Sequence, residues 1–474
     1  MKFALLVITG LVAVTSAAKL EEKFAWNQMT FAWPSPQAEQ EAINSGRYIP
    51  GNNLILGLEV WRDKLFVTVP RWKAGVASSL NYIQLPTDEK SPILRPYPNW
   101  EANVLPIEID NSTPSITTGG RTDAARPIKS GEGIKDNSTI ISTFRVQADA
   151  CDRLWVMDTG LNDILGKPNQ IAPPAIVIFD LNTDQLVRRF TLPESDVKDE
   201  TFFANIVVDV SRDNCDNAYA YIPDLGAYGI VVYSFKDNKS WRIKHNFFHF
   251  DPLNGDYNIG GVNFQWTDGV FALAIGFQQP DGSKPVYFHA LSSTKEFVVP
   301  NTVLQNESYV TGQDNYYAFQ LLGDRGRNGQ ASAEVFDPST GTLFYTQVNK
   351  DAIACWNTQK PYIPDNQGLV DSDSTALEFP NDLKLDDRGN LWVLSDRLPA
   401  FIYKSLQPRE INYRILVGRT DDLIRGTPCQ SQQLRPQQFQ PQPQQFQNQP
   451  QQFQPQPQQF QPQPQQFQPQ PQPL

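Results

Sequence analysis

Histidine is nearly missing from this chain: three of 474 residues, His245, His249 and His289. Methionine also numbers three, and cysteine four. No His-Glu-x-x-His pair, no Gly-x-Ser-x-Gly elbow and no phosphate-cradling glycine loop occurs. Those absences remove the common zinc-protease, serine-hydrolase and nucleotide-binding signatures. His245 and His249 lie in "WRIKHNFFHF", which reads as a strand, so the histidines are taken as packing or surface residues. No cysteine pair has finger-type spacing, so neither a metal site nor a cofactor is expected. Positive charge is in deficit, with 40 Lys+Arg against 51 Asp+Glu and a net charge of −11. Nucleic acid and anionic membranes attract a positive field, so neither is an expected partner. Long apolar runs are also missing; the stretch Phe3 to Val14 is too short to span a bilayer.

That short run has another reading. Lys2, the apolar stretch and the small residues Thr15 to Ala18 form a secretory signal peptide, residues 1–18, cut after Ala18 or Ala17. The mature protein is therefore expected to be soluble, secreted and extracellular. Four cysteines suit disulfides in that compartment. Asn111, Asn137, Asn238 and Asn306 head Asn-x-Ser/Thr triplets, which makes a glycoprotein the expectation.

The last stretch, 431–474, is a separate material. Phenylalanines at 439, 446, 453, 460 and 467 repeat every seven residues among Gln and Pro, and Arg435 is the one charge. Regular proline forbids a helix. The segment reads as a disordered low-complexity tail with polyproline II character, serving as a tether or as a contact for matrix or cuticle components.

Residues 19–430 show short β-rich runs and little helical periodicity. An Asp/Asn/Gly turn followed by an apolar-aromatic pair recurs at Leu65-Phe66, Leu154-Trp155, Ala218-Tyr219, Val270-Phe271, Leu343-Phe344 and Leu391-Trp392. A second strand with a central aromatic follows each, at Tyr82, Phe179, Tyr233, Phe288, Trp356 and Tyr403. The opening aromatics are spaced by 89, 64, 52, 73 and 48 residues. Propeller blades need about 40–50 residues, with insertions in loops. The fold class is therefore all-β, a six-bladed β-propeller. Paired β-sandwiches rank lower because they do not predict six copies of one signature. Two copies align by eye, with Asp149 matching Asp386 and Trp155 matching Trp392. The extended stretch Phe24 to Trp33 is expected to add a strand beside Tyr413 to Val417 and close the ring. Four cysteines allow three pairings. Cys151 and Cys215 fall in equivalent turns of consecutive blades, which favours Cys151–Cys215 with Cys355–Cys429.

Propeller sites usually lie where inner strands and loops meet at one end of the channel. By repeat register, Asp396, Thr159 and Asp224 end strands there, and Asn205 and Asn381 open the neighbouring ones. A carboxylate such as Asp396 suits a ligand ammonium, with nearby aromatics adding cation–π contact. Oxygen ligands on the axis would alternatively suit Ca²⁺.

The stretches "GRYIPGN", "LFVTVPRWKAGVASSLNYI", "RLWVMDTG", "NAYAYIPDLGAYGIVVYS", "GVNFQWTDGVFALA", "ACWN" and "FPNDLKLDDRGNLWVLSDRLPAF" resemble the insect yellow / major royal jelly protein family, in the same order. The likeness is to yellow-type members more than to royal jelly nutrient proteins. It implies a secreted six-bladed propeller linked to cuticle pigmentation and melanin formation. It also implies two activities known among members: binding of biogenic amines, and conversion of dopachrome. The amine contacts of salivary relatives fall by register on Asn381, Asp396 and Leu398; none of the three is identical, and Leu398 lacks the aromatic face. The expected function is pigmentation or sclerotisation of cuticle through a small catechol or indole amine ligand. The alternative is dopachrome tautomerisation with Asp396 and Arg397 as acid–base candidates. A calcium-dependent hydrolase stands third.

Overall fold

A computed structural model describes residues 20–105, 137–312 and 315–430. The expected signal peptide, the Asn111 acceptor and the Gln/Pro/Phe tail lie outside these residues. Six four-stranded antiparallel sheets form the blades of a β-propeller. From the axis outward, the first blade is Gly57–Trp61, Lys64–Thr68, Leu80–Gln84 and Arg95–Pro96. The second is Thr143–Ala148, Arg153–Asp158, Ala175–Asp180 and Gln185–Thr191, and the third is Val207–Ser211, Asn214–Asp224, Gly229–Ser234 and Lys239–Lys244. The fourth is Val270–Ile275, Pro285–Ala290, Lys295–Pro300 and Gln320–Asp324, and the fifth is Glu334–Asp337, Thr342–Gln347, Ala352–Asn357 and Gln367–Ser372.

The sixth blade is made from both ends of the described chain. Pro380–Leu385, Asn390–Asp396 and Tyr413–Arg419 supply its three inner strands, and Glu21–Trp26 pairs antiparallel with Tyr413–Arg419 as its outer strand. The ring closes as the sequence suggested, using the first residues of that N-terminal stretch; Phe31 instead bridges Leu94 in the first blade. Closure of this kind removes a free sheet edge.

The repeated turn has a physical basis. Asp149 Oδ1 accepts the N–H groups of Cys151 and Arg153, and its Oδ2 accepts the Trp155 indole N–H at 2.7 Å. Asp386 does the same for Arg388, Asn390 and, at 3.0 Å, Trp392. Each turn needs one left-handed residue, Asp152 in one and Gly389 in the other. The aspartate thus fixes the turn and anchors the aromatic that opens the next strand. Apolar residues of adjacent blades then pack face to face, as with Trp155, Ile176 and Ile178 against Ile222, Val231 and Tyr233 between the second and third.

Two placements differ from the sequence reading. Val270-Phe271 lies on the inner strand of the fourth blade, and Phe288 on its second strand. A turn rich in Asp, Asn or Gly precedes both this strand and the second strands of the other blades, so the signature marks a strand start without saying which strand. Tyr403 is not on a strand; Leu398–Tyr403 is a short helix with Pro399 in its first turn, and the strand follows at Tyr413. The cysteines pair Cys151–Cys215 and Cys355–Cys429. The first joins turns of the second and third blades, and the second ties the end of the described chain to the fifth. Asn137, Asn238 and Asn306 are exposed. No helix among the described residues is long and apolar enough to cross a membrane.

Candidate functional site

Three blades end their second strand with a fully buried aspartate: Asp158, Asp224 and Asp396. The three have one register: each faces the first residue of the third strand, Ala175, Gly229 and Tyr413 respectively. Burying a carboxylate is costly unless it is paired and hydrogen-bonded. Asp158 is held by Arg189 at 3.0 Å and by the N–H groups of Ile141, Ser142 and Gly160. Asp224 is held by Arg242 at 2.8 Å, Thr201 Oγ1, and the N–H groups of Phe202 and Ala227.

Asp396 receives less. Its Oδ2 accepts from Asn381 Nδ2 at 2.7 Å and its Oδ1 from the Leu398 N–H at 2.9 Å. No cation of the described residues makes an ion pair with it. The reason is positional. Arg189 and Arg242 sit on outer strands, opposite the residue two beyond the aspartate's partner, Val177 and Val231. In the sixth blade that place, opposite Ile415, belongs to Phe24 of the N-terminal strand. A buried phenyl ring therefore replaces the guanidinium. Burial pushes the Asp396 carboxyl up to about 8, and Glu378 adds to the effect. The Asn381 and Leu398 hydrogen bonds and the more distant Arg145 pull it back only in part.

Arg145 is the residue that sequence reading missed. It leaves the inner strand of the second blade and crosses the axis while almost fully buried. Its guanidinium donates to the carbonyls of Ser332 and Asn381, lies 3.5 Å from Asp382, and stacks on Phe271 at 4.2 Å. Four blades are thus joined through one side chain: the fourth, fifth and sixth by contact and the second by origin. Its signal was present as a charge set between Phe144 and Val146 in the run "STFRVQA". The axis therefore carries a guanidinium where a calcium ion would need a cage of oxygens.

The other expected residues divide. Asn381 and Asp396 come together, with Leu398 capping the latter. Asn205 donates to the Phe271 carbonyl at 2.9 Å, which places it beside the same channel. Thr159 bonds Ser142 O, and Asp224 is engaged by Arg242, so both are committed to their own loops. Arg397 turns away, pairing with Glu378 at 3.0 Å and Glu410 at 2.8 Å. It is spoken for by two carboxylates and does not reach Asp396 in this arrangement.

Above Asp396 the mouth is covered. The connection from the third to the fourth blade forms a hairpin, Asp256–Ile259 with Val262–Gln265, turning at Gly260 and Gly261. It is followed by Trp266, whose ring lies 6.1 Å from Phe379. The Phe379 carbonyl accepts the Asp396 N–H. A second buried polar cluster lies between the fourth and fifth blades, where His289, Glu296 and Glu334 meet within reach of a common ion. His289 Nδ1 faces both carboxylates, at 3.0 and 3.3 Å, and its Nε2 faces Ala331 O at 3.1 Å. Both ring nitrogens meet acceptors, which suits an imidazolium. Arg325 pairs with Glu296 in the same cluster. Arg325, and His289 when protonated, therefore face the two glutamates there.

Chemically, a carboxyl near 8 at the channel mouth exchanges a proton around neutral pH, and its charged form attracts an ammonium group. Residues 141–429 match the family model described as Major royal jelly protein. The chain is 39% identical over 420 residues to a protein named Dopaminechrome tautomerase from Drosophila melanogaster, covering 87% of this chain and 85% of that one. It is 39% identical over 429 residues to Protein yellow from Drosophila pseudoobscura pseudoobscura, covering 90% of this chain and 71% of that one.

Proposed function

Because the chain belongs to the major royal jelly protein family, we propose that it is a secreted, yellow-type protein of insect cuticle pigmentation or sclerotisation. In this reading a small catechol or indole amine binds at the Asn381–Asp396 mouth. The observation that carries it is the missing counter-ion: Asp396 is the one of three equivalent buried aspartates without an arginine. A ligand ammonium supplies that charge, and Asn381 orients the carboxylate toward it. Matrix or cuticle components are further partners, through the tail. The test is calorimetric titration of the mature protein with dopamine, serotonin and a dopachrome analogue, repeated with Asp396→Asn. Saturable heat that the variant loses supports the reading; no heat from any of the three rejects it.

The similarity to a protein named Dopaminechrome tautomerase favours a second reading, aminochrome tautomerisation. That reaction moves a proton from carbon to oxygen or nitrogen and needs a group that both accepts and donates near neutral pH. Asp396 meets that requirement, and the paired Arg397 does not. The decay of dopaminechrome absorbance with and without the protein decides the matter, since an unchanged rate removes the enzyme.

A further inference from the structure

The Asp396 carboxyl is buried, so the arrangement described above admits no ligand without a movement. The hairpin Asp256–Gln265 shows where that movement lies. It belongs to neither neighbouring sheet and is a separate two-stranded unit. Its hydrogen bonds to the fifth and sixth blades all run through side chains. Asn349 accepts from the Asn258 N–H at 3.1 Å and donates to the Asp256 carbonyl at 3.0 Å. Lys404 donates to the Gly261 carbonyl at 3.1 Å, and the Trp266 indole N–H to Tyr403 OH at 2.7 Å. On the fourth blade, Tyr257 OH meets Ser292 Oγ at 2.9 Å. An isolated two-stranded hairpin is marginal on its own and depends on such docking.

The underside of the hairpin is apolar. Tyr257, Ile259 and Val262 are buried, whereas Asn258 and Asn263 between them are exposed. Its tip fits closely: a Cβ on Gly260 would lie 2.1 Å from a Glu378 carboxylate oxygen. Beside it, Trp266 packs on Phe379, next to the Asp396 backbone. The channel mouth therefore has an aromatic wall, carried by the hairpin's end and not by position 398.

We propose that the hairpin Asp256–Gln265 is a gate over the Asn381–Asp396 mouth, opening to admit an aromatic amine and presenting Trp266 as its stacking face on closure. This rests on the amine-binding reading for the ligand but not for the motion. A hairpin held by side-chain latches opens at lower cost than a strand inside a blade, whose ladder would have to break. The ring of the ligand takes over apolar contacts that the hairpin gives up, and Trp266 supplies the π face that Leu398 lacks.

The motion is tested without ligand. The described residues hold no free cysteine, so Leu398→Cys places a single reactive thiol beneath the gate. Its labelling by a small maleimide is followed in native buffer, in that background alone and with Asn349→Ala and Lys404→Met added. The gate predicts labelling about tenfold faster in the latch variants, the scale of one or two net hydrogen bonds lost, with the unfolding midpoint barely moved. Equal labelling rates overturn it, as does labelling no faster than global unfolding. Dopamine binding to Trp266→Ala and Trp266→Phe is then compared, with weakening in the first and retention in the second expected. Equal affinity in both overturns the stacking role. If the wild-type protein binds no amine while labelling responds to the latch, the ligand reading falls and the gate stands. If amine binds and labelling does not respond, the reverse holds.

Discussion

The second and third blades on one side, and the sixth on the other, solve the same local problem differently. All three end the second strand with a buried aspartate in the same register. In the first two the outer strand comes from the same blade and carries Arg189 or Arg242 to meet it. In the sixth, the outer strand is borrowed from the N-terminal stretch and brings Phe24. The fold that closes the ring therefore also leaves one aspartate without its cation. A repeat can be read as a set of controls on itself: what every blade satisfies is structure, and the one unsatisfied copy is where a ligand has something to contribute.

The comparison is broken most sharply by removing the cation where it exists. Arg242→Met, or Arg189→Met, leaves a buried carboxylate unpaired, and a loss of about 3–5 kcal/mol in denaturant unfolding is expected. Asp396→Asn has no such cation to orphan. Its fold is expected to be no less stable than wild type at neutral pH, while amine affinity falls about 10–100-fold, the worth of a charged hydrogen bond. If the two substitutions destabilise equally, the distinction between structural and free aspartates fails.

The same contrast has a pH signature. Asp396 is raised from 3.8 to about 8 in the folded protein. The native state therefore binds more protons than the unfolded one across that interval, and stability falls as pH rises through it. Thermal melts should show Asp396→Asn gaining on wild type from pH 5 to pH 8, with no gain below about pH 4. Phe24→Arg tests the cause: a restored guanidinium should carry the carboxyl back toward the acid side, read as an upfield-to-downfield carboxyl titration by carbon NMR. A midpoint left near neutrality would mean that the outer strand does not set it.

A smaller effect is expected at the joint between the fourth and fifth blades. The carboxylates Glu334 and Glu296 hold the His289 imidazole above its ordinary value, against burial and Arg325. Its contribution is then present below about pH 6.5 and lost as pH rises through the folded value. Amide exchange of Glu334–Asp337 should quicken on that alkaline side in wild type, and His289→Gln should flatten the dependence.

How much of this was legible follows from distance along the chain. The turn aspartates Asp149 and Asp386 were readable because their partners lie two, four and six residues on. Asn381 with Asp396 was readable because fifteen residues of one strand pair separate them. Arg145 was not, because its carbonyl acceptors at Ser332 and Asn381 are 187 and 236 residues away. Thr159 was placed one residue too far, since Asp158 holds the position equivalent to Asp396; Asp224 is equivalent by register, but the arginine that engages it comes from an outer strand. Arg397 looked available next to Asp396, but a strand end followed by a helix turns successive side chains apart, and Glu378 and Glu410 took it.

The sequence by itself determined the repeated strand-turn-strand unit and the six-fold count, and favoured one cysteine pairing of three, since each rests on a local signature and its recurrence. The tertiary structure alone decided which buried aspartate keeps a counter-ion, what fills the axis and what covers the mouth. Electrostatic pairing falls off over a few ångströms, and those few ångströms are set by ring closure, which brings Phe24 beside a strand nearly four hundred residues later.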